Sequence, residues 1–387
     1  MSREDILKTI KALKPRLLSV SDYIYENPEL GYQEFKAKKA LAELLQEYGF
    51  TVQDGVGKLE TAFKAVYPSN RQGPNIAFIA EYDALPGLGH ACGHNLIGAA
   101  AVGAGIALAQ NLPLGKVSVI GTPAEEIPPA AKQKMIDNGV FDDVDIALMM
   151  HGNNRTTTKT GSLALGLIEY KFKGKASHAA LYPHLGISAL DAAIITFQAI
   201  EMLREHVRSD VKIHGIITDG GLAPNIVPES AALSYFARAL DNDYLDEVVR
   251  RMDDCARAGA LATSAHLEIV HKGRIANKVL LDSLNDLLLD NAQQAGALQI
   301  MAPGNELGST DFGNITHYIP GVALHVAFME HGQSLHTIEA YKAAGSEAGH
   351  RAIEVAALAM AWTGYDLLID PQKLETVKNE HAVKTEK

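Results

Sequence analysis

The sequence predicts an α/β protein in two parts, a larger α/β domain interrupted by a smaller α+β domain. Three observations predict it. The chain has 387 residues, more than one typical domain. Three apolar runs, residues 76–80, 116–121 and 145–150, each lead into a loop bearing His, Cys or Glu. Near residue 163 the pattern changes to alternating strands, and after about residue 277 it reverts. These shifts divide the chain into 1–163 with 277–387, and an inserted 164–276.

In order, residues 3–26 carry Ile6, Ile10, Leu13, Leu17 and Val20 at helical spacing, broken at Asn27-Pro28. A second helix over 33–48 stops at Gly49. Residues 50–52, 61–67 and 76–80 read as strands, and the small-residue run 96–110 as a buried helix. The strand 116–121 enters Thr122-Pro123-Ala124-Glu125-Glu126, a helix over 132–138 stops at Gly139, and the strand 145–150 ends at His151. In the insertion, 163–173, 211–218, 231–239 and 266–271 read as strands, with helices over 187–208 and 244–262. A helix over 279–295 and an apolar stretch over 321–328 restore the earlier style. In open α/β sheets ligands gather beyond the carboxyl ends of strands, so three such ends with ligand-type residues point to one site.

Bulk composition excludes several classes. With 47% apolar and 21% charged residues the chain has ample material for a core. A formal charge of −11 argues against nucleic acid, which calls for a clustered basic face. Two cysteines, Cys92 and Cys255, rule out a disulfide framework and suit a reducing compartment. The N-terminus lacks the continuous apolar core of a signal peptide, and the 96–110 run is too short to span a bilayer. The expectation is a cytoplasmic protein with no membrane partner.

The stretch EYDALPGLGHACGHN, residues 81–95, carries Glu81, Asp83, His90, Cys92 and His94. With Glu125-Glu126, His151, and His331 and His336 in a late loop, it offers thiolate, imidazole and carboxylate donors. That set suits zinc, with manganese or cobalt also compatible. A metal lowers the pKa of water, and a nearby carboxylate can take its proton. The Glu doublet offers one carboxylate to bind and one to act as base, provided a turn lets both face the site, since neighbours in extended chain point apart. Taken singly, Cys255 reads as packing, a Glu doublet as solvated surface and His151 as a strand-end histidine. It is the combination that carries the reading. Arg238, on the strand 231–239, is a candidate for a substrate carboxylate.

Together with Asn27-Pro28-Glu29-Leu30-Gly31, Pro123-Ala124-Glu125-Glu126, Gly174–His178, Pro224–Pro228 and Gly308-Ser309-Thr310-Asp311, this stretch resembles the M20 metallopeptidases. The similarity is to their amidohydrolase branch, and within it to M20D2-type dipeptidases and aminobenzoyl-glutamate hydrolases. The resemblance implies a zinc-aminopeptidase-like catalytic domain with a mixed sheet and an inserted lid and dimerisation domain. It implies two divalent metal ions per subunit, Zn²⁺ or Mn²⁺, held by Cys92, His94, Glu126, His151 and His336, with Glu125 as general base. Asp83 would orient a ligand imidazole, and His90 would stand behind the ligands. His178 would reach the partner's site to polarise the scissile carbonyl, making the protein a homodimer or higher homo-oligomer. Asn225 would support substrate, and Gly308 and Ser309 would line the pocket. The chain departs from the family pattern at Ile127-Pro128-Pro129, where glycines are common, and at the glycine after His151, where proline is frequent. His336 is preferred to His331 because Leu335-His336-Thr337 and Glu339-Ala340-Tyr341 align with the family's closing motif.

The function so implied is amide hydrolysis of a small N-acyl amino acid or dipeptide-like substrate. Two alternatives stand beside it: a peptidase restricted to unmodified dipeptides, and a catalytically silent metal- or amino-acid-binding protein.

Overall fold

The computed structural model describes residues 2–128, 131–305 and 307–386. Pro129, the last residue of the departing loop, lies outside them. The chain divides into two compact units, one of residues 1–161, 278–307 and 311–387, the other of residues 162–277 with 308–310.

The first unit opens on α1 (Arg3–Glu26), capped by Ser2, whose buried face is Ile6, Ile10, Leu13, Leu17 and Ile24. Then come α2 (Phe35–Glu47), β1 (Thr51–Asp54), β2 (Phe63–Val66) and β3 (Asn75–Ala80). They are followed by α3 (His94–Gln110), β4 (Lys116–Gly121), α4 (Ala131–Asp137) and β5 (Ile146–Asn153). Every side chain of β3 is buried, as the apolar run from Ile76 to Ala80 requires of a strand covered on both faces. β5 runs through His151 to Asn153 rather than stopping before it, because a later parallel strand continues the ladder beside it.

The second unit contains β6 (Ala164–Lys173), α5 (Ala189–Leu203), β7 (Lys212–Asp219), β8 (Ser230–Ala239), α6 (Asn242–Thr263) and β9 (His266–Ile275). Its strands form one antiparallel sheet in the order β7-β8-β6-β9. Alternating burial along β8 puts Leu233, Tyr235 and Ala237 into a separate core with α5 and α6. Residues 308–310 join this unit although the sequence reading kept them with 277–387. The Leu163 N–H donates to the Gly308 carbonyl at 2.7 Å, and Arg238 Nη1 to Ser309 Oγ at 2.8 Å.

The first unit resumes with α7 (Asp282–Gln294), α8 (Phe312–Tyr318), β10 (Gly321–Ala327), α9 (Ile338–Ala344), α10 (Glu347–Ile369) and α11 (Pro371–Thr385). Its sheet has the order β1-β2-β4-β3-β5-β10, with β4, β3, β5 and β10 mutually parallel and β2 antiparallel to both neighbours. Four carboxyl ends therefore open on one edge of the sheet. The sequence reading passed over α8 to α11. Among the described residues α10 is the one helix long and apolar enough to cross a bilayer, yet 89% of its most apolar stretch is buried inside the fold. It is a core helix beside α3 and α1, apolar nearly all round and so without the amphipathic signature.

Candidate metal centre

After β3 the chain passes Glu81 and Asp83, turns, and presents Cys92 directly before α3, whose first residue is His94. Gly93 between them takes φ +78°, where a side chain would be strained. Beyond β4, Ala124 is held at φ +54° and Glu125-Glu126 lie in a turn, the geometry the doublet needs to face one point. On β5, His151 donates from Nδ1 to the Gly152 carbonyl at 2.8 Å, which leaves Nε2 3.6 Å from Cys92 Sγ. His336, at φ +61°, places Nε2 3.1 Å from Glu126 Oε1.

Three sets of donors converge: Cys92, His94 and His151; Cys92, Glu126 and His336; and His94, Glu125 and Glu126. Within each, one donor atom per residue lies within 4.8 Å of the others. The five residues expected as ligands and the expected base all belong to these sets, whereas His331 and His90 belong to none. His90 is buried, and burial pushes its imidazole down to about 3. His94 Nε2 is buried without a hydrogen-bond partner, and burial pushes the Cys92 thiol up. A divalent cation satisfies such a nitrogen and stabilises the thiolate, so the donors fit the expected ions.

Asp83 is the hinge of the arrangement. Its Oδ1 lies 3.0 Å from His94 Nδ1, and its Oδ2 accepts the Glu126 N–H at 3.0 Å. Burial alone would raise the Asp83 carboxyl, but the charge and hydrogen bond of His94, together with the Glu126 N–H and Lys132, hold it below the ordinary range. Burial would likewise lower the His94 imidazole, and Asp83 instead raises it. Burial, then the charges of Glu81, Glu126 and Asp311, push the Glu125 carboxyl well up.

A further group escaped the sequence reading. Glu81, Lys132 and Asp311 are fully buried, and Glu81 and Asp311 form a fourth acidic set with Glu125. Lys132 Nζ lies 2.7 Å from Glu81 Oε1 and also pairs with Asp311, which accepts the Lys132 backbone N–H at 3.2 Å. Burial alone would lower this ammonium; Asp311, Glu81 and Glu125 raise it instead. The available signal was the i, i+3 spacing of Lys132 with Met135, which sets a lysine on the buried face of α4.

In the second unit, His178 Nδ1 accepts the N–H groups of Ala180 and Leu181 at 3.3 and 3.2 Å. The ring proton therefore sits on Nε2, which is left to donate. The Ala179 N–H donates to the Asn225 carbonyl at 3.0 Å, tying the loops of His178 and Asn225 together. Arg238 and Ser309, 71 residues apart, are brought into one hydrogen bond.

Residues 161–264 match the family described as the peptidase dimerisation domain. The chain is similar to the Xaa-Arg dipeptidase of Mus musculus, 36% identical over 95% of this chain and 89% of the relative. It is also similar to a p-aminobenzoyl-glutamate hydrolase component of Escherichia coli K12, 30% identical over 97% of this chain and 94% of the relative. Among solved structures, a dinuclear metal-binding peptidase of the M20 family from Bacillus subtilis shares the fold, with TM-score 0.66 and 22% identity over 90% of this chain and 99% of that one. Similarity at this level along nearly the whole chain, on a fold that gathers thiol, imidazole and carboxylate donors at its strand ends, means that the chain belongs to the M20 family of metal-dependent peptidases and amidohydrolases.

Proposed function

We propose that the chain hydrolyses a dipeptide-like or N-acyl amino acid amide, with Glu125 as general base beside two divalent cations, zinc or manganese. Cys92, His94, Glu126, His151 and His336 would hold the ions. The observation that carries the assignment is the Glu125-Glu126 turn, which brings a proton-hungry carboxyl against the converging donors. When bound, the cations polarise the scissile carbonyl and acidify water.

The side chains do the rest. Glu125 takes the proton of the attacking water and hands it to the departing amine, and its raised proton affinity suits both steps. Asp83 keeps the His94 imidazole oriented through Nδ1. His178 of the partner subunit donates from Nε2 to the carbonyl oxygen as charge develops there. Arg238, steadied by Ser309, receives a substrate carboxylate, with Asn225 and Gly308 lining the same pocket. The assembly is a homodimer or higher homo-oligomer working in the cytoplasm.

Similarity to the Xaa-Arg dipeptidase favours an unmodified dipeptide over an N-acyl amino acid. Hydrolysis of Ala-Arg, p-aminobenzoyl-glutamate and N-acetylalanine by chelated and by Zn²⁺- or Mn²⁺-loaded protein separates these readings. Glu125→Gln lowers kcat on the order of 10²–10⁴-fold while calorimetric titration still finds two ions per chain. Normal turnover by that variant removes the base assignment, and a fully active monomer in sedimentation removes the role given to His178.

A further inference from the structure

The segment from Asn27 to Glu34 contains a family-like motif, yet none of its residues belongs to the donor sets. It lies directly behind the turn that carries Glu125. Glu34 is fully buried, and its Oε1 accepts the Ala124 N–H at 2.7 Å. Ala124 is the residue at φ +54°, a conformation that a non-glycine residue avoids unless its surroundings impose it. One residue beyond Glu125, the Glu126 N–H is held by Asp83 at 3.0 Å. Two buried carboxylates thus grip the backbone immediately before and after the base.

The segment is itself anchored. The Ala84 N–H donates to the Glu29 carbonyl at 2.8 Å, joining it to the loop after β3. The Glu29 carboxylate accepts the Lys36 and Ala37 N–H groups at the start of α2, at 2.8 and 3.0 Å. At Gly31 the segment presses so closely on the turn that a Cβ would lie 2.9 Å from Ala124 Cα and from Ile127 Cδ1. The tip of the Ile127 side chain could swing aside, but the Ala124 backbone could not, so the segment packs directly on the turn.

We infer that Glu34 is a positioning residue for this reaction: it holds Ala124 in the left-handed conformation that aims the Glu125 carboxylate, with Asp83 holding the other side of the same turn. This rests on Glu125 being the base. A misplacement of about 1 Å at a reacting group costs up to about 10²-fold in rate, so the effect falls on kcat rather than on binding. A glycine populates positive φ freely, so Ala124→Gly makes the turn less dependent on Glu34.

The test compares Glu34→Gln, Glu34→Ala, Ala124→Gly and the Glu34→Ala/Ala124→Gly pair in the full-length Zn²⁺-loaded protein. Hydrogen exchange across residues 122–128 is read first, then kcat and KM on Ala-Arg. Glu34→Ala is expected to speed exchange of these amides by ten-fold or more while α3 and β3 stay protected. It also lowers kcat about ten- to hundred-fold with KM within three-fold and two ions still bound. Glu34→Gln, which keeps an acceptor, stays within three-fold of the parent, and the double variant recovers part of the lost rate. Unchanged exchange in Glu34→Ala overturns the proposal, and so does a double variant no better than Glu34→Ala. If Glu34→Ala does not fold, Glu34→Gln decides alone: faster exchange of these amides despite the retained acceptor means that Glu34 does not act through the Ala124 N–H. Glu125→Gln is run alongside. An active Glu125→Gln sinks the base assignment, whereas an inactive one beside a fully active Glu34→Ala sinks only the inference about Glu34.

Discussion

Two histidine-bearing loops meet at the donor cluster, and they are built in opposite ways. His94 opens α3 with its side chain wholly excluded from solvent, pinned through Nδ1 by Asp83. His336 belongs to an exposed loop, with half of its side chain (51%) accessible. Its backbone N–H is tied to the Ala91 carbonyl at 3.1 Å, and Thr337 after it caps α9. His94 is enclosed within the fold, whereas His336 is attached to its surface. Core placement secures geometry at the expense of burying charge, while surface placement leaves a ligand that can adjust. The cluster of Cys92, His94 and His151 should therefore take up its ion more tightly than the one completed by His336.

Substitutions can break or sharpen that contrast. The largest effect is expected from Lys132→Met, which leaves Glu81 and Asp311 buried without their cation and costs about 3–5 kcal/mol in urea unfolding of the metal-free protein. Asp83→Ala follows. It strips a buried partner from His94 and another from the Glu126 N–H, lowering stability by about 2–3 kcal/mol and weakening metal binding about 10–100-fold.

Glu34 gives an effect of similar size that depends on pH. Burial is the largest cause lifting its carboxyl from 4.5 up to about 7. The folded state thus binds this proton more tightly than the unfolded chain. The contribution is fully present below about pH 4.5 and is lost as pH rises towards 7, at most about 3 kcal/mol. Urea midpoints of metal-free Glu34→Gln, measured from pH 5 to 7.5, should lack that decline.

The smallest effect is on folding in His336→Ala: within about 0.5 kcal/mol of the parent, as befits an exposed site, while calorimetry finds one ion fewer per chain. A loss of stability matching that of Asp83→Ala would erase the distinction between the two loops.

Much of this was legible in the sequence because it is local. Cys92 and His94 sit in one short loop after an apolar strand, and Glu125-Glu126 follow another, so sheet topology alone brings them together. The residues that escaped are those whose meaning depends on a distant partner. Asp311 lies 179 positions from Lys132: helical spacing marks the lysine as buried and a motif contains the aspartate, but nothing local shows that the two pair. Glu34 reads as a polar residue entering a helix, and only the fold sets it behind Ala124. The buried helix α10 was passed over for a different reason: a helix apolar on every side has no periodic face to betray it.

The allegiance of Gly308–Thr310 to the second unit has a consequence for inheritance and for recombination. Ser309 is fastened to Arg238, and Gly308 to Leu163, so two stretches far apart in the gene form one physical module. A chimera that exchanges residues 162–277 with those of a relative but keeps its own 308–310 joins mismatched halves. Substitutions at position 309 should be tolerated only with a compatible residue at position 238, and a swap that carries both segments should fold where a contiguous graft fails.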